Sequence, residues 1–155
     1  MNSESKFVKI FVKLAKDEDD YPPVEWEELW AVSLGDGKYR IDNVPFYALG
    51  ISSGDSVVAV SRDEKLVVTE VVGTDGHSTL RIVVHDKSMT ERIRDELKSA
   101  GCATELSNVP GFFSVDVPPH VDYSAISKLL SIYEEQEKIG YEESALRHET
   151  AERCQ

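Results

Sequence analysis

The sequence predicts an α+β fold in two halves. Residues 1–76 read as a small β-barrel or curled antiparallel sheet, packed against a ferredoxin-like βαββαβ unit over residues 77–146, with a polar tail at 147–155. Three observations lead there. The first half is a run of short alternating stretches cut by Gly and Asp turns. The second half mixes strand-like runs with two apolar stripes at helical spacing. The rhythm changes at Gly73-Thr74-Asp75-Gly76, a segment too short to be a flexible linker.

Residues 6–15 are β-branched and aromatic, punctuated by Lys6, Lys9 and Lys13, and predict a strand. Asp17-Glu18-Asp19-Asp20-Tyr21-Pro22-Pro23 cannot continue a ladder and predicts an exposed loop. Residues 24–34 predict a second strand. Trp26, Glu28, Trp30, Val32 and Leu34 share one parity, mostly apolar, which places the tryptophans on the core side. Gly35-Asp36-Gly37 marks a turn into a strand that Pro45 ends, and Gly50 and Gly54-Asp55 bracket another turn. Ser56–Ser61 and Leu66–Val72 then form a hairpin around the polar Arg62-Asp63-Glu64-Lys65.

Thr79–His85 opens the second half as a strand. Ser88-Met89-Thr90-Glu91 has the pattern of a capping box, Met89, Ile93 and Leu97 follow at spacing four, and Gly101 terminates the helix. Ala103–Ser107 and Phe112–Val117 are strands, and alternation places one of Phe112 and Phe113 in the core. Asp122 caps a second helix with the stripe Ile126, Leu129, Leu130, Tyr133, which Gly140 stops before a last strand at 141–146.

Composition narrows the function classes. Hydrophobic residues make up 41% of the 155, enough for a core, but no apolar run approaches the roughly 20 residues that span a bilayer. The polar start, Met1 to Lys6, lacks the pattern of a secretory leader, and two isolated cysteines, Cys102 and Cys154, suit a reducing compartment better than a disulfide. Both point to the cytoplasm. The net charge of -12 opposes binding to nucleic acid or anionic membrane, since each relies on Lys and Arg.

Several segments carry a likeness: Glu28-Leu29-Trp30-Ala31, Leu34 to Phe46, Gly50, Gly54-Asp55, Gly76 to Arg81, and Val115-Asp116-Val117-Pro118-Pro119. Over roughly residues 7–146 the chain resembles a bacterial family, domain of unknown function 4265, most specifically at Asn43-Val44-Pro45-Phe46 and Gly76-His77-Ser78. The resemblance implies a relationship, without an activity or a catalytic residue.

Candidate chemistry is sparse. His77 has Asp75 and Ser78 beside it, but a triad needs geometry and an oxyanion hole, and there is no Gly-x-Ser-x-Gly. The expected role of this segment is a turn in which Asp75 or Ser78 bonds backbone amides. His85, His120 and His148 show no ligand spacing, and phosphate-binding fingerprints are absent, so the expectation is no metal, no cofactor and no catalysis. The acids are the stronger lead. Between Asp17 and Gly37 lie eight acids and no Lys or Arg, interleaved with Tyr21, Trp26 and Trp30. Tyr and Trp commonly anchor protein interfaces. The predicted contact residues are Asp17, Glu18, Asp19, Asp20, Tyr21, Glu25, Trp26 and Glu27, with a second group at Glu134, Glu135, Glu137, Glu142 and Glu143. They fit an acidic inhibitor, such as an immunity protein covering the basic active site of a nuclease-type toxin. The alternative is a regulatory protein sensing a small molecule through the ferredoxin-like half.

Overall fold

A computed structural model describes residues 7–148. Lys6, Cys154 and the rest of the predicted tail from residue 149 lie outside the described residues. The chain divides into two compact units, Met1–Asp75 and Gly76–Gln155. No helix among the described residues is long and apolar enough to cross a membrane.

The first unit is a five-stranded closed barrel in the order β1 (Phe7–Lys13), β2 (Trp26–Gly35), β3 (Lys38–Ile41), β4 (Ser56–Arg62), β5 (Lys65–Gly73). Neighbours are antiparallel, and β1 and β5 close the ring through a parallel bridge, Phe11 to Val67. The turns follow the sequence signals. Asp36 and Gly37 take positive φ between β2 and β3, and Asp63 and Glu64 do so between β4 and β5, which suits two-residue hairpins. The Gly54-Asp55 turn closes on itself, with the buried Asp55 carboxylate accepting the Ser52 amide at 2.9 Å.

The core of this unit is Ile10, Leu29, Ala31, Ile41, Val57 and Ala59, with Leu14, Ala48 and Ile51 from the loops. The inward parity of β2 is therefore that of Glu27, Leu29 and Ala31. The expectation that the tryptophans face the core is wrong. Trp30 is 45% exposed and Trp26 half-buried. Counting apolar residues chose the wrong side because the outward side is aromatic and the inward side holds a carboxylate.

The second unit is a four-stranded antiparallel sheet in the order β7 (Ala103–Leu106), β8 (Phe112–Val117), β6 (Ser78–Val84), β9 (Ile139–Ala145). Two helices, α1 (Thr90–Ser99) and α2 (Tyr123–Glu135), bury Ile93, Leu97, Ile126, Leu130 and Tyr133 in one core with Leu80, Ile82, Val84, Phe113, Val115 and Val117. Phe113 belongs to this core, but Phe112 on the opposite face is also buried, so alternation did not separate them.

Two helix ends differ from expectation. The Ser88 capping box does not form. Asp86 accepts the Ser88 amide at 3.1 Å and its hydroxyl at 2.7 Å, which starts a 3-10 turn at Lys87–Met89 before α1. At the far end of α2, Glu137 with φ 60 takes the left-handed position expected of a glycine. The Lys138 amide reaches Tyr133 O at 2.9 Å and the Glu137 amide reaches Glu134 O at 2.9 Å, a Schellman closure. Gly140 does not stop the helix; it lies in β9 opposite Val83. Asp122 caps α2 as its sequence position suggests, accepting the Ser124 amide at 3.0 Å, and Gly101 ends α1 with φ +105.

Candidate functional site

The acidic loop joins β1 to β2. Its shape comes from Asp17, whose carboxylate accepts the amides of Asp19 at 2.8 Å and Tyr21 at 3.0 Å. The Asp17 amide in turn reaches Tyr21 O at 2.8 Å. With Asp17 used to fold the turn and Asp20 at φ 59, the carboxylates of Glu18, Asp19 and Asp20 stand on exposed backbone. Tyr21 is 44% exposed and meets Tyr47 edge-on, with ring centroids 5.9 Å apart.

The outward side of β1 and β2 is a ladder of cations, rings and carboxylates. The register places Lys9 opposite Trp30 and Lys13 opposite Trp26. The Lys9 ammonium lies 4.6 Å from the centre of the Trp30 ring and 3.3 Å from Glu28. The Lys13 ammonium repeats this at 4.9 Å from Trp26 and 3.1 Å from Glu25. Lys13 bonding holds the Glu25 carboxyl below its ordinary value. Phe11 meets Trp26 edge-on at 6.5 Å. Glu25 is thus at the surface and Trp26 half-buried beside it, as the interface reading needs and against the parity reading, but Glu25 already has a cation of its own.

Glu27, predicted as a contact residue, is buried instead. It is 7% exposed, and its carboxylate accepts the amides of Phe46 at 2.7 Å, Tyr47 at 3.0 Å and Ala48 at 2.7 Å. It cannot touch a partner. Its work is to hold the loop after β3 against β2, assisted by Asn43, whose side-chain oxygen accepts the Trp30 amide at 3.0 Å.

The second predicted group is also divided. Glu134 and Glu135 are exposed at the end of α2, while Glu137 closes the helix through its backbone. Glu142 pairs with Arg81, and Glu143 accepts the Tyr123 hydroxyl. That bond and burial together push the Tyr123 phenol far up, with burial the larger cause. The two acidic groups lie in different units.

A buried polar cluster surrounds the start of β6. His77 Nδ1 is 2.8 Å from the Asp116 carboxylate. Burial raises the Asp116 carboxyl despite that partner. Ser78 Oγ accepts the amides of Arg147 at 2.8 Å and His148 at 3.1 Å. With both lone pairs used, its proton points to His148 Nδ1 at 2.6 Å, and His148 Nε2 donates to Pro118 O at 2.8 Å. His148 also stacks on Tyr123. Ser78 does bond backbone amides, but from β6 and to a distant part of the chain rather than within the expected local turn, and the bonds tie down the first two residues of the polar tail. Nearby Cys102 is buried, and burial pushes its thiol up to about 11. No group of three His, Cys, Asp or Glu side chains among the described residues could hold a metal ion.

Residues 27–141 match the family described as domain of unknown function (DUF4265). The chain belongs to the DUF4265 family. No curated protein matches it. Among solved structures it is similar to a hypothetical protein from Neisseria gonorrhoeae, at a TM-score of 0.73 and 21% identity over 92% of this chain and 98% of that one. Such a likeness speaks to the fold.

Two of the segments that carried the likeness have physical roles in this chain. Asn43 and Phe46 belong to the clamp built on Glu27. Gly76 takes φ +83 where an added Cβ would meet Pro119 at 3.1 Å, and His77 and Ser78 open the buried cluster. Sequence reasoning missed the partners Glu27, Asp116 and His148. The signal was present in part, because Asn43, His77, Ser78 and Asp116 lie in the segments that carry the likeness, whereas Glu27 and His148 lie outside them.

Proposed function

We propose that this DUF4265 chain is a cytoplasmic binding protein that covers a basic protein surface, as an immunity protein covers the cleft of a nuclease-type toxin, and performs no chemistry of its own. The observation that carries this reading is the β1–β2 hairpin. It combines exposed acids in its connecting loop with exposed Phe7, Tyr21 and Trp30. Single exposed apolar residues are ordinary, but Tyr21 among the acids of the loop, with further exposed rings along the same hairpin, has the make-up of an interface. The net charge of -12 favours a positive partner and fast encounter.

The strand order of the second unit supports reading it as a ferredoxin-like βαββαβ layer. A small-molecule sensor built there is the second reading. Its support is an open groove of about 530 Å³ lined by Arg92, Asp95, Glu96, Ser99 and Leu129. The hairpin is favoured because its rings offer binding energy that this charged groove lacks.

Co-expression with the product of the adjacent gene tests the proposal. The expected result is a complex that forms at low salt and weakens as salt rises. Replacing Glu18, Asp19 and Asp20 by their amides should slow association by about tenfold or more. Recovery of no complex at low ionic strength would overturn the inhibitor reading.

A further inference from the structure

On the barrel unit, Phe7, Trp30 and Asp42 frame an open depression of about 330 Å³. Its frame follows from the strand register. Phe7 pairs with Val32 and Lys9 with Trp30, so the Phe7 and Trp30 rings are diagonal neighbours across β1 and β2. The Asp42 amide donates to Trp30 O at 2.9 Å, which sets Asp42 on the other side of the same tryptophan. Phe7 is 56% exposed, and Asp42 is exposed as well.

The neighbouring rungs say what such a frame takes. Each joins an aromatic ring, a carboxylate and a cation: Trp26, Glu25 and Lys13 in one, Trp30, Glu28 and Lys9 in the next. Phe7 and Asp42 begin a third rung around Trp30, the ring it shares with the Lys9 rung, and repeat the ring and the carboxylate. Among the described residues, no cation pairs with Asp42. We infer that this third rung is an arginine-binding site, completed by a guanidinium from a basic protein partner. The inference rests on the proposed binding function and names the chemistry at its point of contact.

The alternatives fit the frame less well. A phosphate or nucleic acid would meet an unneutralised carboxylate on a chain of charge -12. A purely apolar side chain would cover the rings but strip water from Asp42 without replacing its hydrogen bonds. A cation satisfies both walls. Ring faces attract it, and the carboxylate pairs with it. Arginine suits the site better than lysine, because a planar guanidinium stacks on a ring while its edge donates two hydrogen bonds to one carboxylate.

The probe is a short arginine-containing peptide amide, compared with peptides in which citrulline or lysine replaces the arginine. The readout is the indole N–H resonance of Trp30 in the full chain, with that of Trp26 as internal control. The arginine peptide should shift Trp30 saturably in the millimolar range, and citrulline, which has the same shape without the charge, should not. Asp42→Asn, an exposed change, should weaken the effect about fivefold or more while leaving the rest of the spectrum in place. A silent Trp30, equal shifts from arginine and citrulline, or an unchanged Asp42→Asn variant would each overturn the site. The protein complex separates this inference from the function it rests on. A complex that forms but binds equally tightly with Asp42→Asn removes the arginine site and keeps the inhibitor reading. Arginine binding without any protein complex does the reverse.

Discussion

In β2 of the barrel unit, two adjacent glutamates live in opposite worlds: Glu27 is sealed under three backbone amides, while Glu28 reaches Lys9 across open water. The second unit offers no such contrast between neighbours. Glu142 and Glu143 both bond within the fold, to Arg81 and Tyr123, and the buried Asp116 and Ser78 are answered by histidines. The barrel unit thus concentrates its buried polar commitment in two carboxylates, Glu27 in the clamp and Asp55 in its turn, and leaves its rings and other acids outside. The second unit spreads the commitment over several pairs. A surface free to bind is what remains when internal duties are carried by few residues.

The sharpest break of this comparison is Glu27→Ala set against Glu28→Ala. Losing the Glu27 carboxylate orphans three amides, each bonded to a charged acceptor. We expect a loss of about 3 kcal/mol or more in urea unfolding. Glu28→Ala removes an exposed pair and should cost under about 0.5 kcal/mol. Equal losses would mean that the clamp is not what holds the loop after β3.

Next comes Asp116→Asn, which tests whether the second unit tolerates its buried carboxyl at a cost. Burial raises the folded-state value above that of the unfolded chain. Its contribution to stability is therefore complete below the unfolded value, about pH 4, and is lost as pH rises through the raised one. The variant should match the wild type near pH 4 and gain on it at higher pH, while Asn can still accept from His77. Asp86 and Asp122, held low chiefly by the hydroxyls of Ser88 and Ser124, act below pH 4 and leave this window clear. A constant difference between the two proteins from pH 4 to 7 would sink the idea.

The smallest expected effect is at the end of α2. Glu134 and Glu135 sit in its last turn, where no basic residue answers the helix dipole. Replacing either by Gln should raise the midpoint of thermal unfolding slightly, by the equivalent of about 0.3–1 kcal/mol. A fall in stability would show that these acids serve the fold after all.

Much of the architecture was legible because it is local. The turns at Asp36-Gly37 and Asp63-Glu64 and the Asp122 cap each depend on a few adjacent residues, and these features stood where the sequence suggested. What escaped depends on partners far along the chain. Glu27 looks like a surface acid until residues 46–48 bring their amides to it. The parity of β2 was misread for the same reason, and so were the uses of Glu142 and Glu143. The end of α2 failed differently: Glu137 occupies a backbone region that a search for glycine does not find. Of the candidate site, the exposed loop at Asp17–Asp20 was readable from charge and proline alone. The arrangement of the rings beside Lys9 and Lys13 was not, since it needs the strand register.

The closure of the barrel between Phe11 and Val67 carries one more implication. Every other strand contact in that unit joins consecutive strands, across two-residue turns or across the loops after β1 and β3, so each pair can form as soon as both arms exist. The β1–β5 seam joins the first strand to the last and must await the whole unit. Folding should then proceed as an open ribbon that curls shut at the end, and the late step is the one that brings the Lys65 ammonium over the Phe11 ring, 5.8 Å from its centre.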